Sequence, residues 1–295
     1  MTLRRAGGFA ASVALAACAV AAPAQSPAPA EAAPTTALSG LPATGLSVRG
    51  PATQGGWLRG RVAPGTRALS LDGQPVPFAA DGGFFVAFDR DAGPQATLAV
   101  TLESGVSLST PIAIAPRGWA IEHINAAKRP GGMPDAEYQR RRAGELAQIK
   151  AARALDTEAQ GWRQAFARPA AGRFSGKFGS QRIYRGEPGA YHSGLDIAGG
   201  AGTPFSAPAD GVVVLAAQDP FTLEGHLLII DHGMGLSSAF LHASALKVKQ
   251  GDVVRQGQVV GLIGSTGRAT GPHLHWGVVW KGRRLDPLLF LAPAG

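Results

Sequence analysis

From Gly45 to Pro116 the chain is cut into short alternating runs by turn residues, and this leaves little room for anything but β structure. Ala68-Leu69-Ser70-Leu71, Phe84-Phe85-Val86-Ala87-Phe88 and Ala96-Thr97-Leu98-Ala99-Val100-Thr101-Leu102 are such runs. Asp72-Gly73 and Asp81-Gly82-Gly83 stand between them and favour tight hairpins. The 41 glycines and 22 prolines of the 295 residues act as the punctuation, and their irregular spacing excludes a collagen repeat. Seven or so short strands in about 70 residues predict a small β-sandwich over 44–116.

The amino terminus has a different character. Arg4 and Arg5 precede an apolar, small-residue stretch from Ala6 to Ala22, and Ala22-Pro23-Ala24 offers a cleavage site before Gln25. This is the layout of an export signal, so residues 1–24 are expected to be a signal peptide and the working compartment periplasmic or extracellular. Leu15-Ala16-Ala17-Cys18 also resembles a bacterial lipobox, which leaves a lipid anchor on Cys18 as the other route. An Ala-dominated stretch of this length is short for a stable transmembrane span. The one cysteine excludes a disulfide framework and any site built from several thiolates. Residues 25–43, rich in Pro and Ala, are expected to be a solvated linker.

Residues 117–172 read as a basic helical connector. Pro134-Asp135 suits a helix start, and Leu146, Ile149, Ala152 and Leu155 recur at three-residue spacing, predicting a helix over 134–166. Arg140, Arg141 and Arg142 cluster on it, and a formal charge of +8 for the whole chain fits an anionic partner. A solvated helix face is the plainer role for the cluster. Contact with an anionic wall polymer is the other. Export makes nucleic acid an unsuitable partner.

From residue 173 the chain is β-rich again, with strands expected at Gly211–Leu215, Leu227–Ile230 and Val259–Ile263. Six of the seven histidines fall here, and only His123 precedes them. Three segments stand out: His192-Ser193-Gly194-Leu195-Asp196, Phe240-Leu241-His242 and His273-Leu274-His275. In a strand, residues at i and i+2 share a face, so His273 and His275 should point the same way. Two imidazoles and one carboxylate are a common ligand set for a catalytic zinc with an open position for water.

These segments resemble the lysostaphin-type zinc endopeptidases, metallopeptidase family 23, from about Phe174 to Pro287. Phe178-Gly179, Ala207-Pro208-Ala209-Asp210-Gly211, Ile230-Asp231-His232-Gly233, Gly251-Asp252-Val253-Val254 and Gly264-Ser265-Thr266-Gly267 follow the same order. The resemblance implies a mainly β chain ending in an antiparallel-sheet metallopeptidase domain over 173–295. It implies one Zn2+ per chain, held by His192, Asp196 and His275, with His242 and His273 as the histidines that act on substrate. The implied substrate is the peptide cross-link of peptidoglycan, with D-alanyl–diaminopimelate links favoured over glycine bridges. Gly277 departs from the pattern, since many relatives carry an acidic residue there. His232 is expected to be structural, and His226 and His123 to lie at the surface.

Two other readings have less behind them. Non-catalytic relatives act as activators of other wall hydrolases, but they are marked by lost ligands. Gly251–Gln258 resembles a turn of biotinyl and lipoyl carriers, yet no lysine has the required hairpin setting and the histidines would have no role.

Overall fold

The computed structural model of the chain describes residues 37–41, 45–127 and 136–292. The signal segment, Cys18 and the Pro134-Asp135 helix start lie outside the described residues. Among those described, no helix is long and apolar enough to cross a membrane.

The first part is built from two four-stranded antiparallel sheets. One runs in the order Ala37–Leu41, Leu46–Arg49, Trp57–Arg61, Gly83–Ala87, and the other Gln74–Val76, Thr66–Leu71, Gln95–Leu102, Ser107–Ala113. Alternation decides the faces. Leu58, Phe84 and Val86 of the first sheet and Leu69, Leu71, Leu98 and Val100 of the second are buried in one shared core. The hairpin at Asp72-Gly73 has φ of 51° and 77°, the doubly left-handed turn that matches strand twist. The β region starts earlier than residue 44, because Ala37–Leu41 pairs with Leu46–Arg49 instead of lying in the linker.

The second part is an eight-stranded antiparallel sheet. Its order is Arg173–Gly176, Leu195–Ala198, Leu274–Trp280, Leu236–Ala243, His226–Asp231, Gly211–Ala216 and Val253–Val254, with Arg283–Leu285 also paired to Leu274–Trp280. The outer face of the first sheet lies against it through aromatic rings. Trp57 meets Phe290 at 5.3 Å between centroids and Phe85 meets Trp280 at 6.1 Å. The apolar core is therefore continuous from the first sheet into the eight-stranded one.

Helix α1 spans Ala136–Ala154, shorter than the periodicity predicts. Ile149 and Ala152 pack with Val214, Phe221 and Ile229. Leu146 and Leu155 are exposed, and the inward position one turn before Ile149 is held by Glu145. Beyond Ala154 the backbone has other partners. Thr157 donates to the Asp231 carboxylate, the Trp162 N–H donates to His232 O at 2.9 Å, and the Phe166 N–H donates to Phe290 O at 2.9 Å. Trp162 and Phe166 are thereby buried in the core next to the eight-stranded sheet, so packing does not break at residue 172. Of the three clustered arginines, Arg142 turns inward. It forms ion pairs with Glu145 at 3.1 Å and Glu224 at 2.6 Å, while Arg140 and Arg141 are exposed.

Candidate metal centre

Cross-strand register creates the site. Asp196 stands directly opposite His275, which in turn is paired with Leu241, the neighbour of His242. Leu195 and Ile197 point into the core, as do Leu274 and Trp276, so Asp196 and His275 share the opposite, half-buried face. His192 reaches them from the preceding loop, which is fixed by His192 N–H donating to Ser180 O at 2.8 Å and Gly179 N–H donating to His192 O at 2.9 Å. Between His192 and Asp196, Gly194 packs so closely on the next strand that a Cβ there would lie 2.7 Å from His275 Nε2.

Three donor atoms converge. His192 Nε2 lies 3.0 Å from Asp196 Oδ1, His275 Nδ1 lies 2.9 Å from the same oxygen, and the two nitrogens are 3.1 Å apart. Ligands of a tetrahedral zinc at its usual bond lengths are about 3.3 Å apart, so the triangle is close to the size such an ion needs. The His192 Nδ1–H donates to Lys177 O at 3.0 Å, which aims Nε2 at the triangle. His192, Asp196 and His275 form the one group of three or more metal-type donors among the described residues.

Electrostatics follow from burial and these contacts. For Asp196, burial disfavours the carboxylate, but hydrogen bonds from His192 and His275 outweigh it and hold its pKa well below the carboxylate range. Burial likewise opposes charge on His192, yet the Asp196 hydrogen bond and charge raise its pKa above the imidazole value. His275 is buried more deeply, and desolvation pushes it down.

Two further histidines flank the triangle. The His242 ring is 4.9 Å from that of His273 and 6.4 Å from that of His275. Both have Nδ1–H tied to a carbonyl of one loop, His242 to Thr266 O and His273 to Gly271 O, each at 2.8 Å. That leaves Nε2 as the basic nitrogen in each, and His273 Nε2 is 3.8 Å from Asp196 Oδ1. His242 has a left-handed backbone, φ 66°, uncommon for a residue with a side chain. Its N–H donates to Glu224 O at 2.8 Å, and its pKa is pushed down chiefly by burial. A cleft of about 1260 Å³ opens over the centre, lined by His192, Asp196, Tyr191, Arg268 and Thr270 and by Ile121 and Glu122 of strand Ile121–Ile124.

The remaining histidines separate as follows. His232 is fully buried between Asp210 O and Ser238 Oγ, as expected of a structural residue. His123 is exposed. His226, expected at the surface, is half-buried, because its Nδ1–H reaches back to Ala217 O across the strand ends. Sequence reasoning did not find the carbonyls of Thr266, Gly271 and Glu224, which orient the free histidines without any side-chain signature. It also missed strand Ile121–Ile124, which joins the cleft wall by pairing in parallel with Gln181–Tyr184.

Residues 190–287 match the family model described as peptidase family M23. The chain carries a family M23 peptidase domain. The match encloses the donor triangle and both flanking histidines. The chain is 41% identical over 97 residues to the peptidoglycan DD-endopeptidase ShyA of Vibrio cholerae, covering 33% of this chain and 22% of that one. It is 39% identical over 102 residues to the DD-carboxypeptidase/endopeptidase Mpg of Neisseria meningitidis, 35% of this chain and 23% of that one. The chain thus spans under a quarter of the length of these curated relatives. A solved Pseudomonas aeruginosa structure ascribed to peptidase M23 aligns over 81% of this chain and 94% of its own, at 29% identity and a TM-score of 0.63. That likeness extends well beyond the matched 98-residue peptidase segment, so the joined architecture of sheets and peptidase recurs there.

Proposed function

We propose that this M23 protein is a zinc-dependent endopeptidase that hydrolyses peptide cross-links of peptidoglycan outside the cytoplasm. The observation that carries the reading is the donor triangle of His192, Asp196 and His275, with the basic nitrogens of two further histidines beside it. The donor set fits zinc by type, size and second contacts. When bound, zinc polarises a carbonyl and lowers the pKa of a coordinated water towards ~7.

The chain's own residues supply the rest. His273, held by Gly271 O, accepts the proton of the attacking water at Nε2. His242, its pKa held down by burial, takes over that same proton at Nε2 and hands it to the developing oxyanion or the leaving amine. The cleft along strand Ile121–Ile124 receives the stem peptide in extended form. Arg268 is exposed at this cleft and forms no ion pair among the described residues. It sits on the loop between Thr266 and Gly271, whose carbonyls orient the two histidines, so its guanidinium suits a free carboxylate near the scissile amide. A diaminopimelate cross-link has such a carboxylate. The names of the two curated relatives and the export-type amino terminus support the same substrate and compartment.

The test is metal content and muropeptide release on protein lacking residues 1–24. About one zinc per chain with release of cross-linked peptides is expected. Protein that binds no zinc, or that binds it and releases nothing from sacculi, would overturn the reading.

A further inference from the structure

Away from the metal centre, a second cleft of about 340 Å³ lies where the outer face of the first sheet meets the turn Gly161–Arg163. Arg49, Arg59, Arg61 and Arg163 line it together with Trp162 and Gly83. Strand register brings these charges together. Arg49 stands directly opposite Arg59, and Arg61 is on the same outward face two residues along. Like charges in directly opposed positions destabilise a sheet.

The balance of partners is uneven. Arg61 and Arg163 both use Asp81, at 3.1 Å and 2.9 Å. Arg49 is exposed and forms no ion pair among the described residues. Arg59 is only 8% exposed, with its guanidinium on the Trp57 ring at 4.3 Å, and its Nη1 just reaches Arg163 O at 3.5 Å. Its Nε and Nη2 have no partner. With Trp162 Nε1, they are the only buried side-chain polar atoms left without one among the described residues, and both residues line this cleft. A buried cation with two idle donors is costly unless a counter-charge completes it. Desolvation, and then Arg49, push the Arg59 pKa down to about 10, the same cost seen in another quantity.

We infer that this cleft binds a phosphate-type oxyanion, which joins Arg49 and Arg59 of the first sheet to Arg163 of the turn. Four guanidiniums against one carboxylate call for a doubly charged ligand, and the planar guanidinium fork suits phosphate oxygens. Turning about its last side-chain bonds, Arg59 brings its idle edge to the anion while its face stays on Trp57. The anion ties the first sheet to a segment whose Trp162 N–H is bonded to His232 O beneath the peptidase sheet. It therefore strengthens the joint between the two halves without entering the catalytic cleft.

The experiment is calorimetric titration and thermal unfolding of the full chain at pH 7.4 and fixed ionic strength, with inorganic phosphate against acetate. The Asp196→Ala background removes anion binding at the metal centre. One saturable phosphate site is expected, with a rise in Tm that follows its occupancy. Arg59→Met and Arg49→Gln should each weaken it by about tenfold or more. Arg49 is exposed, so its variant reports even where Arg59→Met fails to fold. No saturable site, an equal effect of acetate, or unchanged phosphate affinity in Arg49→Gln would overturn the inference.

Discussion

Glu224 accepts the backbone N–H of His242 on its carbonyl at 2.8 Å, while its carboxylate is held by Arg142 of helix α1 at 2.6 Å and 2.8 Å. The helix therefore braces the loop that holds a strained histidine of the peptidase site. Glu145 completes the brace by accepting from the Thr222 N–H and hydroxyl. Arg142→Met leaves two largely buried carboxylates without their cation and should cost roughly 1–3 kcal/mol of stability. Turnover should fall about tenfold through displacement of His242, with zinc content unchanged. Thermal unfolding, metal analysis and kcat on one preparation check all three, and unaltered kcat would detach the brace from the site.

Replacing the histidines should separate binding from chemistry. His275→Ala and Asp196→Ala are expected to lose zinc. His273→Ala and His242→Ala should keep it and lose about 10²–10⁴ in turnover. Metal analysis beside muropeptide release distinguishes the two groups, and loss of zinc from His273→Ala would move that residue into the ligand set.

Gly194→Ala tests the close approach between the His192 loop and the strand of His275. The added methyl would meet Trp276 O at 2.6 Å and His275 Nε2 at 2.7 Å, displacing a donor. Zinc affinity should drop by about 10–100-fold. Competition with a chelator measures it, and wild-type affinity would mean that the strand gives way at no cost to the triangle.

Arg268→Gln should lower kcat/KM about tenfold for cross-links that carry a free carboxylate beside the scissile amide. Amidated cross-links should be cut by wild type and variant alike. Paired assays on the two muropeptides give the answer, and an equal loss on both would make Arg268 a general contact.

Buried His232 gives stability a pH dependence of its own. Desolvation lowers its folded pKa to about 4, against 6.5 for a free imidazole. The unfolded chain therefore takes up a proton first as pH falls. The contribution of His232 is complete above pH 6.5, is lost progressively down to about 4, and amounts to about 3 kcal/mol. Urea unfolding at several pH values should show that slope, and a variant with a neutral isostere, His232→Gln, should lose it.

Much of this was legible before any coordinates. Strand logic placed His273 and His275 on one face, but the ligand set of His192, Asp196 and His275 came from the family resemblance, since His192 reaches the site from a loop and the pairing of Asp196 opposite His275 spans some 80 residues. The hairpin at Asp72-Gly73 and the alternating strands announced the two sheets. Helix α1 was legible in kind but not in extent or facing. Its buried face includes Glu145, a charged residue kept inside by Arg142 one turn earlier on the helix and by Thr222 from a distant loop, so hydrophobic spacing chose Leu146 and Leu155 wrongly. Strand Ile121–Ile124 was invisible because three of its four residues are exposed and its pairing partner is some 60 residues away. Carbonyl contacts such as Thr266 to His242 leave no trace in residue type.

The aromatic seam of Trp57, Phe85, Trp280 and Phe290 has a practical meaning. The peptidase is not a cassette. Cutting the chain ahead of residue 173 would lay bare Trp280 and Phe290 and discard Phe166, whose ring touches both Phe290 and His232. Moved alone into another protein, the eight-stranded sheet would carry with it a sticky, half-finished surface.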